Sequence, residues 1–311
     1  MAVPESILRT LFTPISIRSM KLNNRIVMPP ITTLFANADG LPTDRLTDYL
    51  EARARGGAAL VYVEATVVHR HGHMGIGERG VCAIYDDSAI PRWRQLTGRI
   101  HAGGAKVCMQ LYHPGRQMTT VDTTTPLVAP SAVPCPVRRR VPRALSIAEI
   151  EELVQAFAQA ALRVREAGFD AVEIDGAHGY LIAQFMSAHS NKRTDRYGGD
   201  LMGRLRFPLE ILRAVRRRIG PDFPIIFRYS AIEGIPGGCD LEEAVAIAPL
   251  LVDAGADCLS ISTGTHANLH TRLIPPMGMP KGLNVEAATA VKRVVDVPVM
   301  VAGRLNDPLM A

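Results

Sequence analysis

Asp175, His178 and Tyr180 stand within six residues of one another, directly after the apolar run 171–174. Titratable side chains at the end of a buried strand are costly to keep there unless they are hydrogen-bonded or used chemically. The chemistry open to them is proton handling. In a barrel of parallel strands that position is the catalytic rim. The segment from Asp170 to Gly199 therefore points to an enzyme.

Other apolar runs end in a similar way. The first is followed by Pro29, Pro30, Ile31, Thr32 and Thr33, the second by Glu64, Ala65 and Thr66. The third carries Gln110, Tyr112 and His113, the fifth ends at Arg228, and the sixth runs through Ser262 and Thr265 to His266. The seventh ends in Gly303 and Arg304. A Thr, a Gln and an Arg brought together at a rim offer donors and acceptors to a polar planar ring. A Gly-Arg step suits a phosphate, which backbone N–H groups and a guanidinium can both reach. A phosphorylated heterocycle such as a flavin nucleotide fits both features.

These residues need a scaffold, and the pattern of the chain predicts it. Strands are expected at 25–28, 59–64, 106–111, 171–174, 225–228, 258–261 and 299–302, with helices including 147–167, 241–254 and 286–294. Ser146 with Glu149, and Asp240 with Glu243, have the spacing of capping boxes. Glycines at 103–104, 168 and 255 suit helix C-terminal turns before the next strand. Apolar runs without period-two alternation indicate strands covered on both faces, hence a parallel sheet inside helices. Polar residues follow many different strands, and no G-x-G-x-x-G or Walker sequence is present. The expectation is an α/β fold, a TIM (β/α)8-type barrel, in preference to a doubly wound open sheet. Residues 12–28 read as a hairpin closing the bottom of the barrel. Seven strands are one short of an intact barrel, and the chain reaches Ala311 soon after the seventh. We therefore expect one domain over 1–311, truncated after the seventh strand, with its last βα unit absent.

Composition narrows the class. The chain has 311 residues, 47% of them hydrophobic, enough for a large core. No apolar run is long enough to cross a bilayer, and the start lacks a signal peptide's apolar core, so a soluble cytoplasmic protein is expected. The five cysteines are scattered without a C-x-x-C pair. That argues against a disulfide framework and against a zinc or iron–sulfur site within this chain. The net charge is +5, but aromatics are only 5% and are not interleaved with basic residues. Nucleic acid is therefore not expected as a partner. Arg216, Arg217 and Arg218 fall late in a helical pattern, where cations favour the C-terminus.

With these motifs in place the sequence resembles the Old Yellow Enzyme family of flavin-dependent ene-reductases. Within it, the chain resembles the N-terminal barrel of 2,4-dienoyl-CoA reductase and bile-acid enoate reductase type proteins. The resemblance runs through LFTPISIRSMKLNNRIVMPPITT, YDDSAIPRWRQLTGRIHAGGAKVCMQLYHPGRQ, APSAVPCPV, the Asp170–Gly199 segment and VAGRLNDP. It implies FMN as cofactor and NADH or NADPH as reductant. Pro30, Thr32, Ala65, Gln110, Arg228, Gly303 and Arg304 would bind the flavin. Thr32 would bond a ring carbonyl, Gln110 and Arg228 would take the pyrimidine end, and Gly303 with Arg304 would hold the phosphate. Asp175 and His178 occupy the pair that grips the substrate carbonyl, and Tyr180 would donate the proton. Tyr112 and His266 would line the substrate pocket. The implied partner is a small enone, enoate or enoyl thioester, with no membrane. A homo-oligomer, or C-terminal domains beyond Ala311, stays open.

Asp175 departs from the family pattern, which usually has His there. An ionised carboxylate would repel a developing enolate, so Asp175 must be protonated, turned away, paired with a cation, or selecting another substrate such as an amine. An amine dehydrogenase on the same scaffold is thus a second reading. A truncated barrel that has lost flavin and acts only as a binding module is a third. Elsewhere the plainer readings are favoured. His69, His71 and His73 belong to an exposed loop, Arg138, Arg139 and Arg140 form a solvated run, and Gly198, Gly199 and Arg204 belong to a helix entry. For His266 a solvated loop residue remains an equal alternative, and Tyr112 also suits the core.

Overall fold

The computed structural model describes residues 8–76, 78–118 and 126–310. The chain enters through a hairpin, β1 (Ile15–Ile17) and β2 (Met20–Leu22), turned at Arg18, whose φ is 51°. Seven apolar runs then become parallel strands: β3 (Val27–Met28), β4 (Leu60–Val67), β5 (Lys106–Tyr112), β6 (Ala171–Gly176), β7 (Ile225–Ile232), β8 (Cys258–Thr263) and β9 (Val299–Val301). They lie in sequential order in one sheet, with the short strand Cys82–Ala83 also pairing β4. This is the expected barrel type with seven strands.

Helices return the chain between them. These are α1 (Asp44–Arg55), α2 (Ile90–Ala102), α3 (Ile147–Glu166), α4 (Leu181–Met186), α5 (Leu201–Ile219), α6 (Leu241–Asp253) and α7 (Val285–Lys292). Ser146 opens α3 with a full capping box, its hydroxyl accepting from Glu149 N while the Glu149 carboxylate accepts from Ser146 N. Asp240 makes only half of one: it accepts from Glu243 N at 2.9 Å, but the Glu243 carboxylate pairs with Arg204 instead. Gly104, Gly168 and Gly255 take φ of 92°, 82° and 119° after their helices, which a side chain would oppose.

Every residue of β4, β6 and β8 is buried, as strands covered on both faces require. One face packs Trp93, Phe157, Phe207 and Leu251 from the helices against the sheet. At the amino ends of the strands, Ile17, Met20 and Leu22 meet Leu60, Ala171 and Ile226, so the hairpin plugs the bottom. Each such side chain contributes about 1.5–3 kcal/mol of apolar burial. The outermost strands differ. Residues of β3 and β9 are only partly buried, and both strands line a groove of about 480 Å³ together with Ile17, Leu22 and Asp307.

Asp257 fastens the plug to the sheet. Its carboxylate accepts from Arg18 Nη1 at 2.7 Å and from Ile225 N at 2.8 Å, and it also pairs with Arg216. Asp257→Ala would leave two guanidinium groups and an amide without this partner. A loss of about 3 kcal/mol is expected, the scale of breaking a buried ion pair, seen as a lower urea midpoint. An unchanged midpoint would mean the hairpin is held by its apolar contacts alone.

Candidate active site

Strand period two decides which polar residues share the inner face. Glu173 and Asp175 alternate with Val172 and Ile174, which pack on the helix side. Gln110 of β5 lies in register with Glu173, and Arg228 of β7 with Asp175. Ser260 of β8 lies in register with Arg228. Gln110, Glu173, Asp175 and Arg228 are therefore neighbours, and all four are buried. Gln110 Nε2 donates to Glu173 Oε1 at 2.7 Å. Among the described residues Arg228 makes no salt-bridge contact, and its Nε is buried without a hydrogen-bond partner.

Asp175 is held half-turned. Its Oδ1 accepts from Ala177 N at 3.0 Å, while Oδ2 is buried and unpartnered among the described residues. Burial pushes its carboxyl up to about 7, against the pull of Arg228 and with the help of Glu173. Of the ways out foreseen for this residue, the geometry has partial turning toward its own loop, and burial favours the protonated form.

The loop after β6 carries the next two groups. His178 adopts a φ of 60°, a left-handed conformation that costs a non-glycine residue about 1–3 kcal/mol. It is held there by Ser230 Oγ, which accepts from His178 N at 2.9 Å, and by a bridge to Thr265. His178 Nε2 lies 2.6 Å from Ser262 Oγ. Burial, with Arg228 and His266 as further causes, keeps the imidazole well below its usual pKa and so neutral. The Tyr180 ring packs edge-on against Tyr112 at 5.1 Å and His266 at 5.2 Å. Burial and the Asp175 charge hold its phenol protonated, with Arg138 opposing. His266 Nδ1 lies 3.0 Å from the His178 carbonyl, which can only accept, so the neutral ring keeps its proton on Nδ1.

The remaining expected residues are less uniformly placed. Pro30 lines a small cavity of about 30 Å³ with Tyr62, Arg228, Ser260, Met300 and Ala302. Ala65 is buried in β4, but Thr32 is exposed, and the anchored neighbour is Thr33, whose N donates to Glu64 at 2.7 Å. Gly303 follows β9 with φ 133°, and a Cβ there would lie 2.6 Å from Asn284 Nδ2. Arg304 Nη1 donates to the Pro276 carbonyl at 2.5 Å. Ala302, one residue before Gly303, is the one that joins Arg228 in the cavity wall.

Two expectations need correction. His69, His71 and His73 are half-buried rather than exposed: His71 stacks on His113 with ring centroids 5.7 Å apart, and His73 Nδ1 lies 3.3 Å from the Tyr85 hydroxyl. Arg138 is not simply solvated. It is partly buried, its Nε has no hydrogen-bond partner among the described residues, and its charge acts on Tyr180 and His266. Arg139 is exposed as expected. Arg204 is buried at the entry of α5, donating to the Met186 carbonyl at 2.9 Å.

The buried set fits a flavin nucleotide. The unpartnered Arg228 Nε, the Gln110 amide and the Asp175 carboxyl offer the donors and acceptors that a polar planar ring would use. A parallel (β/α) sheet carrying such a set on its inner face is the architecture of a barrel of the TIM type. The chain belongs to the NADH:flavin oxidoreductase / NADH oxidase family, which it matches over residues 10–311. That family includes solved proteins of the Old Yellow Enzyme type. The chain is 43% identical over 305 residues to NADH oxidase of Thermoanaerobacter brockii, covering 97% of this chain and 46% of that protein. It is 34% identical over 322 residues to cinnamate reductase of Clostridium sporogenes strain ATCC 7955, covering 96% of this chain and 48% of that one. A solved 2-naphthoyl-CoA reductase complex superposes with a TM-score of 0.89 at 31% identity, over 97% of this chain and 47% of that chain. The chain thus spans about half the length of the curated relatives it matches first. Among the described residues no helix is long and apolar enough to cross a membrane.

Proposed function

We propose that residues 1–311 form the flavin-binding barrel domain of a cytoplasmic, FMN-dependent, NAD(P)H-linked ene-reductase. Its substrate is a small α,β-unsaturated carbonyl compound: an enone, enoate or enoyl thioester. The observation that carries this reading is the meeting of His178 and Tyr180, ring centroids 6.4 Å apart, beside the buried Gln110, Glu173, Asp175 and Arg228 set.

FMN would be held by Gln110 and Arg228 at its pyrimidine end, by Thr32 and the backbone at Pro30 and Ala65, and by Gly303 and Arg304 at its phosphate. When bound, it supplies hydride to the β-carbon of the alkene. Arg228 places positive charge where the reduced ring gains negative charge. His178, fixed by Ser230 and Ser262, polarises the substrate carbonyl as enolate charge develops. The Tyr180 hydroxyl gives its proton to the α-carbon. Arg138, acting on Tyr180 and His266, favours a substrate that carries a carboxylate or another anionic group.

A second reading, substrate amine oxidation, is favoured by the unpartnered Asp175 Oδ2, which could take an ammonium group. Incubating the purified chain with excess FMN and desalting it tests the common premise. A retained band at about 450 nm is expected of bound oxidised flavin. Anaerobic mixing of the photoreduced protein with an enone, and of the oxidised protein with an amine, then chooses between the readings. A colourless protein would overturn both and leave the barrel as a binding module.

A further inference from the structure

Glu173 has no part in the chemistry above, yet it lies at the centre of the buried polar set. It is 0% exposed, in the middle of β6, on the face shared by Gln110, Asp175 and Arg228. A lone carboxylate so deep is costly. Burial, the largest cause, holds its pKa above the ordinary carboxylate value, and Arg228, the Gln110 amide and the Tyr62 and Ser260 hydroxyls offset only part of that. Its Oε1 accepts from Gln110 Nε2 at 2.7 Å, and its Oε2 has no partner at hydrogen-bond distance among the described residues.

The orientation of the Gln110 side chain follows. An amide has a donor side and an acceptor side, whereas an ionised carboxylate only accepts. Here Gln110 Nε2 is turned to Glu173 Oε1, which leaves Gln110 Oε1 for the ligand. The pyrimidine end of a flavin presents one N–H, at N3, between two carbonyl oxygens. An amide oxygen complements that N3–H, and the second Nε2 hydrogen complements a carbonyl. Glu173 also opposes the charge of Arg228, the cation facing the same ring.

Resting on the flavin reading, we propose that Glu173 is a positioning residue. It fixes the Gln110 amide with its oxygen toward flavin N3–H, and it offsets part of the Arg228 charge, so that it sets both flavin affinity and flavin potential.

Glu173→Gln keeps the volume and removes both properties, because an amide facing Gln110 accepts either orientation. The full chain and this variant are titrated with FMN and with N3-methyl-FMN by fluorescence quenching, and the midpoint potential of bound FMN is measured. The wild type should prefer FMN over the N3-methyl form by about tenfold or more, the scale of one hydrogen bond to a charge-supported group. The variant should bind FMN about tenfold more weakly, discriminate less, and hold it at a more positive potential. Unchanged affinity and potential would overturn the positioning role. If the variant does not fold by circular dichroism, the wild-type preference decides, and equal affinity for the two flavins overturns the proposal. A wild type that binds neither flavin overturns the flavin reading itself and this role with it, a result distinct from a variant that behaves like its parent.

Discussion

Tyr180→Phe should slow alkene reduction by about 100-fold or more while leaving flavin reduction by NAD(P)H close to wild type. The two halves of the cycle separate because only the second needs a proton at carbon. Phenylalanine keeps the edge-on packing against Tyr112 and His266, so the loss reports the hydroxyl and not the ring. Burial and the Asp175 charge raise the phenol's pKa, so it arrives protonated at any working pH and yields its proton only to a strongly basic enolate. Rapid mixing of prereduced protein with an enone, followed by flavin reoxidation at about 450 nm, reads this step alone. An unchanged rate would mean that another group or solvent supplies the proton.

The pH profile of that same step should fall as pH rises through about 7 and become flat in Asp175→Asn. Below that value Asp175 is neutral and its carboxyl can donate a hydrogen bond toward developing oxyanion charge. Above it, the carboxylate sits beside the developing enolate and raises the barrier. The histidines and the tyrosine at the mouth are shifted away from that range. His178 and His266 are pushed below the usual imidazole range, and Tyr180 is pushed above the usual phenol range. Asparagine removes the charge without removing a donor, so the variant should exceed the wild type at high pH by about tenfold or more. Asp175→His should likewise improve enone reduction. A wild-type profile flat from pH 6 to 8 would sink this role for Asp175. If the variant instead loses amine oxidation, the carboxylate serves an ammonium.

The scaffold was legible because burial on both faces leaves a plain mark: uninterrupted apolar runs, each followed by polar residues. The ends of the strands were not. Read by hydrophobicity, β6 stops at Ile174 and β7 at Arg228, whereas the ladders run to Gly176 and Ile232. Inside a barrel the last residues of a strand face a polar ligand, so the apolar signal ends before the hydrogen bonding does. Glu173 was hidden by the same logic, counted as part of an apolar run although its spacing from Asp175 puts both on the inner face. Ser230 gave no signal, and Ser262 stood out only as part of the polar run after its strand, since a serine in a strand is ordinary until a histidine lies 2.6 Å away. Arg138 looked like one of three surface arginines, and only tertiary packing separates it from Arg139.

A closed barrel has no rim of free backbone along its sides, but a row of seven strands has two. Its ends are β3 and β9, which line one groove and whose valines and methionines are only partly covered. Such borders are adhesive: they are templates for one more strand, whatever its source.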